Sequence, residues 1–170
     1  MIRTERLQLR RMNTSDVDLL MEIFSDPVAM KHYPSTKNRE ETLQWIEWNR
    51  NNYQEYGVGL WIVEDKQTNK FLGQCGIVPQ KFDKAVKMEI GYLFKQEVWG
   101  NGYATEAAFA CKQYGFEEKK FPMLISLIDL ENLPSIRVAE RIGMKLESTV
   151  HRWEKEVLLY SCFKQTEQGE

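Results

Sequence analysis

The most informative segment of this 170-residue chain is Trp99-Gly100-Asn101-Gly102-Tyr103-Ala104-Thr105-Glu106-Ala107. It lies between a predicted strand at residues 86–94 and a predicted helix at residues 102–118. The alternate glycines, Gly100 and Gly102, allow positive φ angles and let the backbone approach a ligand closely. The helix that follows begins with unpaired N–H groups and the positive end of its dipole. We therefore predict an anion-binding turn in this segment.

The segment lacks the residues that nucleotide-processing loops need. It has no Gly-Lys-Ser/Thr sequence, which argues against the phosphate loop of a nucleotide hydrolase or kinase. No GxGxxG sequence follows a first strand, which argues against a dinucleotide-binding fold. A turn without a catalytic lysine or a metal ligand suits a phosphate that is held but not transferred, such as the pyrophosphate of coenzyme A. The alternative interpretation is a glycine-rich helix start that binds nothing.

The sequence around this turn alternates between strand and helix patterns. Leu7 and Leu9 alternate with polar residues and predict a strand at residues 4–11. Two helices follow, and the capping-box sequence Asn38-Arg39-Glu40-Glu41 opens the second, which is predicted to end near residue 56. The remaining predicted elements are strands at residues 60–63, 71–78, 86–94, 123–128, 145–151 and 157–163 and helices at residues 102–118 and 133–142. The order βαα–βββ–α–β–α–ββ predicts an α+β fold with a mixed, mostly antiparallel sheet flanked by helices.

The composition is typical of a soluble protein with one domain. The chain is 42% hydrophobic and 28% charged, and its net charge of −2 provides no basic surface for nucleic acid. No apolar run reaches the length of a membrane span, and the N-terminus lacks the apolar core of a signal peptide. We therefore predict a cytoplasmic protein with one domain at residues 1–164 and a polar, disordered tail at residues 165–170. The oligomeric state is either a monomer or a homodimer, and the sequence does not distinguish between them.

The cysteines and histidines predict neither disulfides nor a metal site. Cys75, Cys111 and Cys162 are odd in number and widely spaced, which is typical of reduced thiols in a cytosolic protein. The chain contains only 2 histidines, so we do not expect a structural or catalytic zinc ion.

Further motifs occur on either side of the anion-binding turn. The segment Met88-Glu89-Ile90-Gly91-Tyr92 precedes the turn, and Asn132-Leu133-Pro134-Ser135-Ile136-Arg137-Val138-Ala139-Glu140-Arg141-Ile142-Gly143-Met144 follows it. With the opening Thr4-Glu5-Arg6-Leu7-Gln8-Leu9-Arg10, the chain resembles the GNAT superfamily of N-acetyltransferases, and more closely its RimJ/RimL-like branch. The wider superfamily usually has Gln or Arg at the position of Trp99, whereas tryptophan is common there in the RimJ/RimL-like branch. Ala139 stands where many members have a tyrosine general acid.

The resemblance implies a splayed sheet that holds acetyl-CoA between two diverging strands, with no metal. The pantetheine arm would pair with backbone groups around Leu93 and Phe94. The residues implied in cofactor binding are Leu93, Phe94, Val98, Gly100, Asn101, Gly102, Tyr103, Ala104, Thr105 and Asn132. For Asn132, an N-cap or Asx turn before the following helix is the alternative reading of the same spacing.

The implied reaction is attack of an amine on a thioester, which needs a base because a primary amine is mostly protonated at neutral pH. The family often uses a glutamate at the position of Glu89, and Glu154 and Glu156 are alternative carboxylates. Ser135 is the candidate general acid for the leaving thiolate, with Tyr160 as the alternative. Alternatively, the Ser135 hydroxyl could accept a hydrogen bond from a free backbone N–H at the start of the following helix.

The acceptor implied by the branch is the Nα-amine of a protein, such as a ribosomal protein. A small amine, such as a polyamine, an amino compound or an antibiotic, is an alternative, and so is a coenzyme A-binding regulatory module without turnover. In the superfamily the first two helices and the last hairpin usually form the acceptor side. These elements and the segment between the helices contain His32, Tyr33, Trp45, Trp48, Tyr53 and Trp153. These side chains form either an acceptor wall or ordinary packing.

Overall fold

The structure is a computed structural model that describes residues 1–166. Its strands are β1 (Ile2–Arg3), β2 (Leu7–Arg11), β3 (Leu60–Asp65), β4 (Phe71–Phe82), β5 (Ala85–Phe94), β6 (Met123–Asp129), β7 (Lys145–Arg152) and β8 (Lys155–Phe163). Its helices are α1 (Val17–Phe24), α2 (Arg39–Tyr56), α3 (Tyr103–Glu117) and α4 (Leu133–Arg141). Residues 167–170 of the predicted tail lie outside the described residues. Of the four α-helices described, none is long and apolar enough to cross a membrane.

The predicted α+β fold with a mixed, mostly antiparallel sheet is confirmed, and several strands differ from the prediction at their ends. The predicted strand at residues 4–11 is broken, because Thr4 Oγ1 accepts the N–H of Leu7 at 3.0 Å and forms a turn. The strand predicted at residues 71–78 continues through Pro79 to Phe82. Pro79 is tolerated because the pairing of β3 with β4 stops at Leu60, opposite Gly76. No strand therefore lies beside the position of the missing N–H of Pro79.

The sheet contains one parallel contact, and that contact is short. The strand order is β1-β2-β3-β4-β5-β6-β8-β7, and the other neighbouring pairs of the described strands are antiparallel. Strands β5 and β6 share a single register pair, Glu89↔Ile125. Beyond this pair they diverge, and we call the space between them the strand gap. The sheet is therefore split into two halves that separate toward the end of β5.

Helices cover both faces of the sheet. Neighbouring side chains of β4 point to opposite faces. Gln74 accepts a hydrogen bond from Trp45 of α2 at 3.0 Å, whereas Cys75 lies 3.7 Å from Cys111 of α3, measured between sulfur atoms. Helices α2 and α3 therefore lie on opposite faces of the sheet. Because residues paired across an antiparallel ladder share a face, Glu89, which pairs with Val78, points to the α2 side.

Gly76 permits a close approach of β3 to β4, and this contact can be tested. A Cβ at Gly76 would lie 2.0 Å from the carbonyl oxygen of Gly59 and 2.7 Å from Leu60 Cα. We expect Gly76→Ala to lower the free energy of unfolding by about 2–4 kcal/mol, because backbone atoms must move apart. The control is Gly91→Ala, whose Cβ would meet only Leu60 Cδ2, at 3.4 Å. Urea denaturation measures both, and equal losses would contradict the close approach.

Candidate active site

A cavity of about 430 Å³ opens where β5 and β6 diverge. We call it the central cavity. Strands β5 and β6, helix α2, the segment at residues 30–37 and the tip of the β7–β8 hairpin all contribute to its lining. Predicted site residues that line it are Glu89, Leu93, Asn132 and Ser135. The fold thus brings the predicted base, the predicted acid and two predicted cofactor residues to one space.

Glu89 is a buried carboxylate at the point where the two strands part. Only 8% of the surface of Glu89 is exposed to solvent. Oε1 accepts a hydrogen bond from Gln80 Nε2 at 2.8 Å, and Oε2 accepts one from the N–H of Leu127 at 2.7 Å. Burial raises the pKa of Glu89 to about 7, against the opposing effects of these two donors and of the Arg152 charge. A carboxyl group with this pKa can take up and release a proton near neutral pH.

The alternation of hydrogen bonds along β5 determines which backbone groups face the strand gap. The N–H of Lys95 donates to the carbonyl of Leu72 at 2.9 Å, in register with the β4–β5 ladder. Because bonded and non-bonded pairs alternate in an antiparallel ladder, the backbone of Leu93 also faces β4. The backbone groups of Tyr92 and Phe94 then face the strand gap. The side chain of Leu93, by contrast, lines the central cavity.

Two side-chain contacts agree with this orientation. The hydroxyl of Ser126 donates to the carbonyl of Ile90 at 2.7 Å, and the indole N–H of Trp99 donates to the carbonyl of Phe94 at 2.9 Å. The groups left facing the strand gap are the N–H of Phe94 and both backbone groups of Tyr92. Sequence reasoning placed the backbone contact around Leu93 and Phe94. The backbone of Phe94 does face the strand gap, but that of Leu93 does not, and Tyr92 was not expected there because the phase of the ladder is not visible in residue types.

The predicted anion-binding turn has the expected backbone geometry. Gly100 and Gly102 have φ angles of 83° and 78°, in the region that favours glycine. A Cβ at Gly100 would meet no described atom within 4 Å, so the space beside the turn is open. Helix α3 begins at Tyr103 after Gly102, and no described side chain caps it. The N–H groups of its first turn are therefore available to an anion.

Arg6 braces this turn, and sequence reasoning missed it. Its Nη1 donates to the carbonyl of Asn101 at 2.8 Å, and its Nε donates to Glu106 at 2.7 Å. Its guanidinium also lies 4.5 Å from the ring centroid of Tyr103. Burial alone would raise the pKa of Glu106, but hydrogen bonds from Thr4 and Arg6 outweigh it and lower that pKa. Glu106 therefore stays ionised and paired and does not compete for the helix start.

The remaining predicted residues of the turn support its shape. Asn101 Nδ2 donates to the carbonyl of Val98 at 2.8 Å, which closes the turn on itself. Ala104 and Thr105 occupy the first turn of α3, next to Tyr103. These residues do not line the central cavity, so the predicted cofactor residues fall into two groups, one at the turn and one at the cavity.

Helix α4 presents Asn132 and Ser135 to the central cavity. Asn132 is the N-cap, since its Oδ1 accepts the N–H of Ser135 at 3.3 Å, and this leaves its Nδ2 free to donate elsewhere. The Ser135 hydroxyl makes no hydrogen bond to the described residues, so it does not satisfy the helix start. Tyr92 donates its hydroxyl proton to the carbonyl of Ser135 at 2.6 Å. Burial raises the pKa of Tyr92 strongly, so it remains a donor and fixes the start of α4.

The alternative acid and base candidates lie away from the central cavity. Glu154 is exposed at the hairpin turn with a φ of 62°, and Glu156 is exposed beside His151, 3.5 Å away. Tyr160 is buried in the core near Glu140, and burial followed by that carboxylate raises its pKa. The geometry thus favours Glu89 over the other carboxylates and Ser135 over Tyr160.

Aromatic side chains form one side of the central cavity. Trp45 packs edge-on against Phe24 at 5.9 Å and lies 5.3 Å from Trp48, measured between ring centroids. We call these three residues the aromatic wall. Lys37 Nζ lies 5.2 Å from the Trp45 ring centroid and lines the same space. Tyr53, the remaining tyrosine considered for this wall, is instead buried, and its hydroxyl donates to the carbonyl of Leu60.

The opposite side of the cavity carries a cluster of charged groups. Lys155 Nζ donates to Asp129 Oδ2 at 2.5 Å, and His32 Nδ1 lies 3.7 Å from Oδ1 of the same carboxylate. The hydrogen bond from Lys155 holds the pKa of Asp129 below its ordinary value. Trp153 and Tyr33 complete this side. The cluster joins the segment at residues 30–37 to the β7–β8 hairpin.

The raised pKa of Glu89 predicts a specific pH dependence of stability. The folded protein binds the Glu89 proton more tightly than the unfolded chain, whose carboxyl has an ordinary pKa of 4.5. Stability is therefore lost as the pH rises from this value toward 7, by about 3 kcal/mol when the group is fully ionised. Glu89→Gln should remove this component of the pH dependence. Urea denaturation near pH 5 and pH 8 tests it, and identical pH slopes in both proteins would contradict the assignment.

Comparison with known proteins places this geometry in a family. Residues 6–145 match the acetyltransferase (GNAT) domain. Uncharacterized protein YkkB of Bacillus subtilis (strain 168) is 49% identical over 158 residues, 92% of each chain. The structure of an acetyltransferase from Agrobacterium tumefaciens str. C58 is similar, with a TM-score of 0.84 at 29% identity, over 95% of this chain and 92% of that chain.

A more distant structure shares the fold. It is the RimL ribosomal L7/L12 alpha-N-protein acetyltransferase in complex with coenzyme A, with a TM-score of 0.78 at 19% identity, over 94% of this chain and 95% of that chain. At this identity the likeness concerns the fold alone. The family match and the close relatives confirm the enzyme class that the sequence motifs predicted. The chain belongs to the GNAT family of acetyltransferases.

Proposed function

We propose that this enzyme transfers the acetyl group of acetyl-CoA to the Nα-amine of a protein, such as a ribosomal protein. The observation that carries the proposal is the position of Glu89. This carboxylate is buried where β5 and β6 diverge, has a pKa of about 7, and lines the central cavity. A base that changes protonation near neutral pH is what an amine acceptor needs before it attacks a carbonyl carbon.

The residues of this chain fit acetyl-CoA. The open space beside Gly100 and the uncapped start of α3 suit the pyrophosphate. The strand gap offers backbone groups of Tyr92 and Phe94 to an arm that carries amides, in the manner of an added strand. Asn132 Nδ2 is a further donor at the edge of the central cavity. Bound acetyl-CoA supplies the activated thioester.

Glu89 and Ser135 divide the proton transfers. Glu89 accepts the proton of the acceptor amine, directly or through a water molecule, and returns it to solvent. The hydroxyl of Ser135, which makes no hydrogen bond to the described residues, is placed to donate toward the leaving sulfur. The aromatic wall excludes water from this side of the cavity and leaves room for an uncharged amine.

The choice of a protein Nα-amine as acceptor is supported by the likeness in fold to RimL, a ribosomal L7/L12 alpha-N-protein acetyltransferase. A small amine is the second candidate acceptor. It is favoured by the size of the central cavity, about 430 Å³, which is in the range of small-molecule sites. The segment at residues 30–37 and the β7–β8 hairpin border the cavity. They restrict the space through which a folded protein could reach Glu89.

The acceptor class is tested by acetyl-CoA turnover with a matched panel. The panel contains short peptides with free and with blocked N-termini, a polyamine and an amino sugar. We expect the highest kcat/KM for a peptide with a free N-terminus, and Glu89→Gln should lower it about 100-fold at neutral pH. A higher kcat/KM for a small amine would establish the second candidate. Binding of acetyl-CoA without turnover of any acceptor would overturn the proposed activity.

The anion site is tested separately through coenzyme A binding. Gly102→Glu places bulk and negative charge at the start of α3, and we expect it to weaken binding at least tenfold, or by about 1.4 kcal/mol. Gly102→Ala is the matched control, because it carries the same backbone strain at a φ of 78° without the charge. Isothermal titration calorimetry with coenzyme A measures both variants. Equal affinities in the two variants would contradict the assignment of the turn.

A further inference from the structure

Arg152 connects the two halves of the split sheet. It ends β7, at one edge of the sheet, yet its Nη1 donates to the carbonyl of Lys81 at 2.7 Å and its Nη2 donates to Gln80 Oε1 at 2.8 Å. Both acceptors lie at the end of β4, on the other side of the strand gap. Strands β5, β6 and β8 lie between β4 and β7 in the sheet order, so the contact joins two strands that are not neighbours in the sheet.

The guanidinium of Arg152 is held between aromatic rings. Its central carbon lies 4.7 Å from the ring centroid of Phe82 and 5.5 Å from that of Trp153. Its Nε is buried and has no hydrogen-bond partner among the described residues. A guanidinium shielded from water in this way acts on nearby charges with less screening than a surface cation.

The contact with Arg152 fixes the orientation of the Gln80 amide. A guanidinium can only donate, so Gln80 must turn its oxygen toward Arg152 and its NH₂ group toward Glu89. Gln80 Nε2 then donates to Glu89 Oε1 at 2.8 Å, while the N–H of Leu127 donates to Oε2 at 2.7 Å. Both carboxylate oxygens receive a donor from the protein. A proton taken up by Glu89 must therefore bind at a remaining lone pair of the carboxylate, and Glu89 lines the central cavity.

We propose that Gln80 and Arg152 are positioning residues for Glu89, which hold its carboxylate so that the proton-accepting lone pair faces the acceptor amine. The inference rests on the proposed function of Glu89 as the base. Through Arg152 it also links the geometry of the base to the β7–β8 hairpin, which borders the acceptor space. A displaced hairpin would release Gln80 and allow the carboxylate of Glu89 to turn.

The charged and titratable groups around Glu89 come from several elements. Arg152 is the cation whose charge lowers the pKa of Glu89, against the effect of burial. Burial, and to a smaller extent the Glu89 charge, raise the pKa of Tyr33 in the α1–α2 connection and of Tyr92, whose side chain lies on the opposite face of β5. Lys87 lies on the same face of β5, with its Nζ 5.1 Å from the Phe82 ring. The remaining charged or titratable side chains that line the cavity are His32, Lys37, Asp129 and Lys155.

The test measures the pKa of Glu89 directly and does not require catalytic turnover. Protein labelled with carbon-13 at the glutamate carboxyl groups is titrated by NMR, with Glu89→Gln used to assign the Glu89 signal. We expect Arg152→Met and Gln80→Leu each to raise the pKa of Glu89 by about one unit, because each removes a group that favours the carboxylate. Arg152→Lys keeps the charge and should give a smaller shift. The control is Arg50→Met, which removes an exposed arginine paired with Glu47 of the same helix and should give no shift.

A kinetic measurement separates positioning from a purely structural role. In the two variants the acidic limb of the kcat/KM profile should move to higher pH together with the NMR pKa. A uniform loss of kcat/KM at all pH values, with the pKa of Glu89 unchanged, would overturn the inference. Gln80→Leu decides the question even if Arg152→Met does not fold, since it leaves the Arg152–Lys81 contact in place. A shifted pKa in a protein without turnover would instead support the positioning and overturn the proposed function.

Discussion

The separation of β5 from β6 at Glu89 is the constraint on which the rest of the structure depends. In a continuous ladder the N–H of Leu127 and the carbonyl of Ile90 would have backbone partners. Here the carboxylate of Glu89 accepts the first, and the hydroxyl of Ser126 donates to the second. Buried backbone groups must be satisfied, so these side chains allow the ladder to stop without orphaned groups. At the inner end of the strand gap, these two side-chain hydrogen bonds replace the backbone hydrogen bonds that the ladder would otherwise form.

The same contact explains why Glu89, the proposed base, is buried. A carboxylate that closes the end of a ladder is necessarily buried, and burial raises the pKa of Glu89 to about 7. The folded state is less stable above this pKa than it would be with an ordinary carboxyl group. The buried Glu89 therefore lowers the stability of the fold at the position of the proposed base, and such a local loss of stability is common for functional sites.

Local sequence patterns predicted the elements and the anion-binding turn, because periodicity, caps and glycine conformations are properties of neighbouring residues. The resemblance to a family supplied Glu89, Asn132 and Ser135. Arg6 and Arg152 were not predicted, since Arg6 acts on Glu106 across 100 residues of sequence and Arg152 acts on Gln80 across 72. Such contacts depend on the tertiary fold. Neither arginine stands in a spacing that distinguishes it from a solvent-exposed residue of an ordinary strand.

Asn132 shows that a residue can cap a helix and still keep a donor for the proposed cofactor contact. Its Oδ1 caps α4, which was the structural alternative, and this fixes the plane of the amide so that Nδ2 is left as a donor at the cavity edge. Tyr92 holds the same helix start through the carbonyl of Ser135. With the backbone of Ser135 bonded on both sides, its hydroxyl is the group that remains free to turn. The proposed acid, Ser135, thus lies at the start of α4, and the proposed base, Glu89, is held by Gln80 near the end of β4.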